Sequence, residues 1–341
     1  MSTATATAAK AAAKSGAGVP ERPPGALRQN VVLILRILAA NPLTLIGFIL
    51  VVLVSIAAIL VVAVPAVTQL VLGHAISILP YPPLDAGKFL PGQSPSTSHL
   101  LGTDASGADV FSNVMTALPT DLGIGFSVAG ISLIIGSLLG LVAGFWDKPG
   151  TLSAVASTTI LRVTDIFLSF PTLVLALAIS ATWGRGEIQS ELAVIVTWWP
   201  FYVRLTRGEV LSIKVQPYVI AARSAGVSET RILFRHVVRN LLEPLAVYFS
   251  LDVGTVIVTY STISYVGVGV PASIPEWGNL MFSYQDYILT QPWTVLSVTA
   301  AIFITVLAFS LLGDGLRDIL DPRSRRIMAT TAVASSRGER P

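Results

Sequence analysis

Long apolar runs, each near the length of a membrane crossing, alternate with short polar stretches through most of the chain. Uncharged runs occupy Leu43 to Leu84, Leu122 to Trp146, Ile166 to Gly184 and Tyr287 to Gly313. A fifth, Leu241 to Pro275, carries Glu243 near its start and Asp252 deeper inside. Since about 20 apolar residues span the hydrocarbon as a helix, these runs predict five crossings. The first ends near Val67 and the fifth near Val268. A shorter run, Leu192 to Val203, holds the kink-prone Trp198-Trp199-Pro200 and stops at Arg204. Whether it crosses is decided by the basic residues, which gather on the cytoplasmic side. If it crosses and the N-terminus is inside, twenty of the twenty-two Lys and Arg are cytoplasmic, and only Lys88 and Arg185 are outside. If it does not cross, the inside count falls to seven. Six spans with both termini cytoplasmic is therefore the expected topology.

Composition agrees with membrane embedding: 53% of residues are hydrophobic, 12% are charged, and mean hydropathy is +0.73, well beyond an ordinary soluble domain. The net charge of +3 is too small and too localised for a nucleic-acid binder. With no cysteine, disulfides, thiolate zinc sites and cysteine nucleophiles are excluded. His74, His99 and His236 are too scattered in sequence to suggest a metal pair. No Walker lysine loop, H-E-x-x-H or G-x-S-x-G is present, so no cofactor or catalytic residue is expected here. Residues 1–40 read as a disordered cytoplasmic tail and not as a cleaved signal. The first span covers 41–67, an external loop with an interfacial helix 68–118, a helical core 119–316 and a cytoplasmic tail 317–341.

Within the core, residues 211–240 form a polar, basic loop between spans four and five. Gly226 is placed for a left-handed stop, and Ser228 followed by Glu229 reads as the N-cap of a second short helix. Ala221, Ala222 and Ala225 leave a smooth first arm. Arg231, Arg235 and Arg239 make a basic stripe on the second, flanked by Ile232, Leu233, His236 and Val237. An interfacial helix under anionic lipid and a dock for a soluble partner both fit this pattern.

The stretch "YVIAARSAGVSETRILFRHVVRN" (218–240) resembles the coupling loop of ABC-importer permeases, in particular the C-type subunit of dipeptide, oligopeptide and nickel importers. "WWPFYVRLTRGEVLSIK" (198–214), "LRVTDIFLSFPTLVLAL" (161–177), "LGTDASGADVFSNV" (101–114), "SYVGVGVPASIPEWGNLM" (264–281) and "LLGDGLRDILDP" (311–322) are similar to further segments of that family, in the family's order. The resemblance implies an all-α type I importer fold. It also implies a heterodimeric second permease subunit, two cytoplasmic ATPases that bind ATP and magnesium, and an external substrate-binding protein. It places coupling on Ala221, Ala222, Gly226, Ile232, Arg235, His236 and Asn240. The expected cargo is a di- or oligopeptide, with nickel chelates and oligosaccharides as alternatives; an ion-coupled transporter or a membrane scaffold is a more distant one. The chain departs from the family at Ile220 and Arg239 in the loop, at Ala108, Asn113 and Pro119 before span two, and at Tyr260.

Other residues invite roles of their own. Gly136, Gly140 and Gly144 recur every fourth residue, which suits close helix packing. Asp252, alone in its span, must face the bundle interior or water, either paired or lining the path. Tyr260 and Trp277 are candidate pathway or gate residues, and Trp277 also reads as an interface anchor. Arg162 and Asp165 are spaced to pair on one helix face. Val110, Phe111, Val114, Met115 and Leu118 share one side of the interfacial helix expected over Asp109 to Leu118.

Overall fold

Apolar runs uninterrupted by helix-breaking pairs become helices, and those helices build the whole fold. In the computed structural model, which describes residues 41–146, 150–271 and 273–320, there is no strand among the described residues beyond an isolated Thr103–Asp109 bridge. The N-terminal tail and the end of the C-terminal tail lie outside the described residues.

Helix α1, Pro42–Leu72, extends past the expected end at Val67. Of its residues only Thr44, Gly47 and Ala58 are buried. At Gly47 an added Cβ would stand 2.5 Å from Leu311 Cβ, so the seam is confined to small residues and most of the helix is left for lipid. A loop follows, folded around a ring cluster of Tyr81, Phe89 and His99 with centroids 4.6–4.8 Å apart. His99 Nδ1 lies 2.9 Å from Asp109 Oδ1, while Asp109 Oδ2 accepts the Ser112 amide at 2.8 Å and caps the next helix.

Helix α2, Val110–Phe145, is continuous, so the separate interfacial helix expected over 109–118 is the first part of span two. Pro119 does not end it, and Val110, Val114 and Leu118 are buried in the core instead of facing an interface. Helices α3, Leu152–Leu168, and α4, Thr172–Trp183, meet at 87°. Pro171 supplies no amide hydrogen and pushes Phe170 out of the helical region, which accounts for the break. Span three is therefore a bent pair.

Helix α5, Glu187–Lys214, is longer than its apolar run implies, and Pro200 sits inside it without ending it. It lies along the glycine stripe of α2. A Cβ on Gly136 would meet Trp199 O at 2.5 Å, one on Gly140 Val203 O at 2.6 Å, and one on Gly144 Val210 Cβ at 2.9 Å. Backbone-to-backbone approach of this kind is what small residues at four-residue spacing permit. Lys214 then reaches back to the end of α2 and donates to the carbonyls of Gly144 (2.9 Å) and Phe145 (3.1 Å), satisfying acceptors that a helix end leaves open.

After α5 come α6, Pro217–Ser224, and a single α-turn α7, Glu229–Ile232. A π-helical segment, Leu233–Val238, leads into α8, Arg239–Tyr265. Helices α9, Trp277–Tyr284, and α10, Pro292–Leu320, complete the described chain. Four helical stretches are long and apolar enough to cross a membrane, and the bent pair makes a fifth. One core cluster joins α2, α8, α9 and α10 through Ile257, Tyr260, Trp277 and Phe309. A second joins α2, α5 and the 217–245 region through Phe145, Tyr202, Val210, Val219, Ile232 and Leu241.

Candidate coupling elbow

The 217–240 segment is a bent lever built on a glycine stop. Pro217 opens α6 at a position where its missing amide hydrogen costs nothing. The helix closes with Gly226 at φ +76°. The Gly226 amide bonds Arg223 O at 3.1 Å and the Val227 amide bonds Ala222 O at 3.1 Å, the paired contacts of a Schellman stop. Ser228 occupies the N-cap position of α7, but its side chain makes no capping bond, contrary to the sequence expectation. Glu229 is turned instead toward Arg223, whose Nε and Nη2 donate to the two carboxylate oxygens at 2.9 and 3.1 Å. This forked pair spans the bend. Being exposed it adds little stability, but it fixes the angle between the arms.

The base of the elbow is locked by Asn240. Its Nδ2 donates to Tyr218 Oη at 3.1 Å and to His236 O at 2.5 Å, tying the first arm to the second. The Tyr218 and His236 rings stand 5.9 Å apart. Beneath them Val219, Ile232, Leu233 and Val237 are buried against Phe145, Val210 and Ile213. Ile232, which the family resemblance counts among the coupling residues, has no exposed surface; it anchors the elbow and cannot itself touch a partner. Ala221, Ala225, Gly226, Arg231, Arg235 and Arg239 are exposed, whereas Ala222 and His236 are half-buried. The outer face of the elbow is therefore small-residue on one arm and basic on the other.

The second arm is not a separate helix. Chain from Glu229 to Tyr265 runs as one 37-residue helical stretch, with the π-helical turns absorbing the change of direction. The first arm hangs from the end of α5, separated only by Val215 and Gln216. A displacement of the elbow must move α5 and α8 together.

The other candidate residues are dispersed. Asp252, half-buried midway along α8, accepts from Trp198 Nε1 at 3.1 Å. Tyr260 is buried in the core, its hydroxyl 3.4 Å from Glu187 O, so it braces α8 against the start of α5. Trp277 is likewise buried, with Nε1 donating to Val114 O at 3.1 Å; it plugs the core and is no interface anchor. Asp165 pairs with Arg204 at 2.6 Å and not with Arg162, because α3 lies against α5 and brings Arg204 within reach.

Two carboxylates missed in the sequence hold the loop before α9. Glu276 caps that helix by accepting from the amides of Gly278 (2.8 Å) and Asn279 (2.9 Å), and Asp121 of α2 accepts the Trp277 amide at 3.1 Å. Burial pushes the Glu276 carboxyl above its ordinary range, against the pull of its two amide donors. The cap motif E-W-G-N was visible in sequence; the adjoining Asp121, 155 positions away, was not.

Comparison with known proteins agrees with this architecture. Residues 136–326 match the family described as binding-protein-dependent transport system inner membrane component. The chain is 36% identical over 231 residues to the glutathione transport system permease protein GsiD of Pectobacterium atrosepticum, covering 68% of this chain and 75% of that one. It is 41% identical over 224 residues to the di/tripeptide transport system permease protein DppC of Pseudomonas aeruginosa, covering 66% and 72%. Its fold resembles an inward-facing structure of the MetNI methionine ABC transporter, with a TM-score of 0.50 and 20% identity, covering 62% of this chain and 96% of that one. A multi-span helical protein with a bent segment between two of its long helices, this chain belongs to the family of inner-membrane components of binding-protein-dependent transport systems.

Proposed function

We propose that this chain is one of two permease subunits enclosing the translocation path of an ATP-driven importer for di- or oligopeptides. The observation that carries the reading is the continuity of the elbow with α5 on one side and α8 on the other. The names of the relatives, which concern glutathione and di- or tripeptides, support the cargo class. The Glu187–Lys214 helix is the sixth span, with Arg204 paired to Asp165 and Lys214 bonded to the end of α2, and both termini are cytoplasmic. Two ATPase subunits bind ATP and magnesium and dock on the exposed face of the elbow, a second permease subunit completes the path, and an external binding protein delivers the peptide.

The cycle is alternating access. Closure of the ATPases draws the elbows together, α5 and α8 swing as levers, and the path opens outward to receive ligand; hydrolysis reverses the motion. The basic stripe of Arg231, Arg235 and Arg239 gives the second arm an acidic surface to meet on its partner. The test is uptake of alanyl-alanine into proteoliposomes holding all subunits with the binding protein. ATP-dependent accumulation is the expected result. Accumulation that ignores ATP and follows a proton or sodium gradient, or copurification without ATPases, would refute the reading.

A further inference from the structure

Asp252 stands midway along α8, and its surroundings describe a ligand. Its Oδ2 accepts from Trp198 Nε1 at 3.1 Å. Among the described residues no cationic side chain pairs with it. The buried Tyr202 hydroxyl stands beside the carboxylate. A carboxylate at this depth without a counter-charge is costly unless a cation or water meets it.

The acid opens into a cavity of about 260 Å³ at the 87° break of span three, walled by Leu168, Thr172, Thr197, Trp198, Phe201 and Thr255. That lining contains no basic group and two aromatic rings, which suit a cation. From Asp252 a polar stripe continues along α8 at 255, 259 and 262, positions that share one helical face. Each threonine hydroxyl donates to the carbonyl four residues earlier, at 3.2, 2.9 and 2.7 Å, leaving its oxygen lone pairs to accept. Thr255 is exposed and Thr259 and Thr262 half-buried. Thr262 also borders a second cavity of about 210 Å³. An acceptor-lined face beginning at an acid makes little sense against lipid and suits a wet path.

We infer that the Asp252 cavity is a transit station for the ammonium group of the imported peptide, with Trp198 and Phe201 as its aromatic wall and the threonine face as the track leading to it. A primary ammonium matches one carboxylate and accepting hydroxyls. A chelated metal ion does not, since no group of three metal-ligating side chains exists among the described residues. A single acid in a hydrated cavity binds weakly, as a site that must release its ligand requires. This inference rests on the peptide-import reading for the identity of the ligand, but not for the existence of the cation site.

The chain has no cysteine, so Thr255→Cys places a lone thiol in it, one helical turn from Asp252. In the full reconstituted complex, its conversion to a mixed disulfide by aminoethyl and sulfonatoethyl methanethiosulfonates, with methanesulfinate leaving, is followed by mass on this chain. One carboxylate about 6 Å away, acting with opposite sign on the two reagents in a water-like medium, favours the cationic one by about tenfold. Adding Asp252→Asn should collapse that ratio, and alanyl-alanine should slow the cationic reagent. A thiol that neither reagent reaches, or equal rates with Asp252 intact, overturns the site. In transport, Asp252→Asn should cut alanyl-alanine uptake by about tenfold or more while Asp252→Glu retains it. Uptake by Asp252→Asn at the wild-type rate, or equal loss in both variants, overturns its role; if Asp252→Asn does not assemble, protection of the Thr255→Cys thiol by alanyl-alanine decides. Failure of the unmutated complex to import alanyl-alanine counts against the peptide reading alone, since the reagent ratio is measured without it.

Discussion

Replacing Ile232 with alanine separates two ways in which a coupling residue can act. If Ile232 touched the ATPase, its loss would weaken docking and leave the elbow intact. With no exposed surface and a place beside Val219, Leu233 and Val237, it should act by holding the elbow on the bundle. Truncating a fully buried isoleucine costs about 2–5 kcal/mol, the transfer of the lost carbons plus the cavity left behind. Each of the few buried side chains that fasten the elbow contributes about 1.5–3 kcal/mol, so one truncation removes a large share of the local anchorage. At about 1.4 kcal/mol per factor of ten, local opening becomes about 30-fold to several thousand-fold more populated. Hydrogen exchange reports this directly: amides of 229–238 should lose protection by that factor in Ile232→Ala, while those in the middle of α2 keep theirs. Stimulation of ATP hydrolysis by the loaded binding protein should fall in parallel, since a detached handle transmits nothing. Arg235→Ala, at an exposed position, should leave exchange unchanged and weaken ATPase association. Exchange of the Ile232→Ala elbow within about threefold of wild type, together with lost docking, would refute the anchoring role.

Gly140→Ala should destabilise the purified complex by about 1–3 kcal/mol in thermal unfolding, because the new methyl would lie 2.6 Å from Val203 O and 2.7 Å from Thr206 Cβ. Gly123→Ala in the same helix meets nothing within 4 Å and should be neutral or slightly stabilising; equal effects would show that the glycine stripe does not set the α2–α5 distance. Glu276 has a folded-state pKa above its ordinary 4.5, so the folded protein holds a proton that the unfolded chain gives up. Its contribution is complete below that value and is lost as pH rises through the raised pKa. The thermal midpoint should therefore fall as pH is taken from 4.5 toward neutrality, and Glu276→Gln should flatten that slope; a slope of the same size in the variant would contradict the assignment.

The apolar runs made the spans legible because lipid leaves a helix almost no alternative. Gly136, Gly140 and Gly144 were readable for the same kind of reason, since four-residue spacing fixes a face whatever lies opposite. Gly226 was readable as a stop because its positive φ strongly favours glycine. What the sequence hid is set by neighbours. Ser228 looked like a cap, yet its side chain makes no capping bond, while Glu229 pairs across the bend with Arg223. Trp277 and Tyr260 looked like interface or gate residues because aromatic rings are common there. Both are buried because α9 folds back on α2 and α8, a long-range fact absent from local pattern. Pairing of Asp165 with Arg204 and the meeting of Glu276 with Asp121 are of the same kind. The run at Leu192 was ambiguous because it is short and ends at Arg204, and α5, which contains it, packs along one side against α2.

These pieces give α8 an unusual division of labour along its length. One end continues through π-helical turns into the exposed elbow. The other end packs at Ile257, Tyr260 and Ile263 against the cluster that holds Trp277 and the loop before α9. Asp252 stands between, beside the break of span three. A helix loaded at one end and seated at the other tilts about its seat, so its middle moves less than the elbow. The α3–α4 pair, interrupted by Pro171, need not follow that rotation as a unit. Relative motion then includes the seam where Asp252 faces Leu168 and Thr172. If the elbow transmits motion as proposed, a ligand-sized space opens and closes at that place as the elbow is drawn in and released.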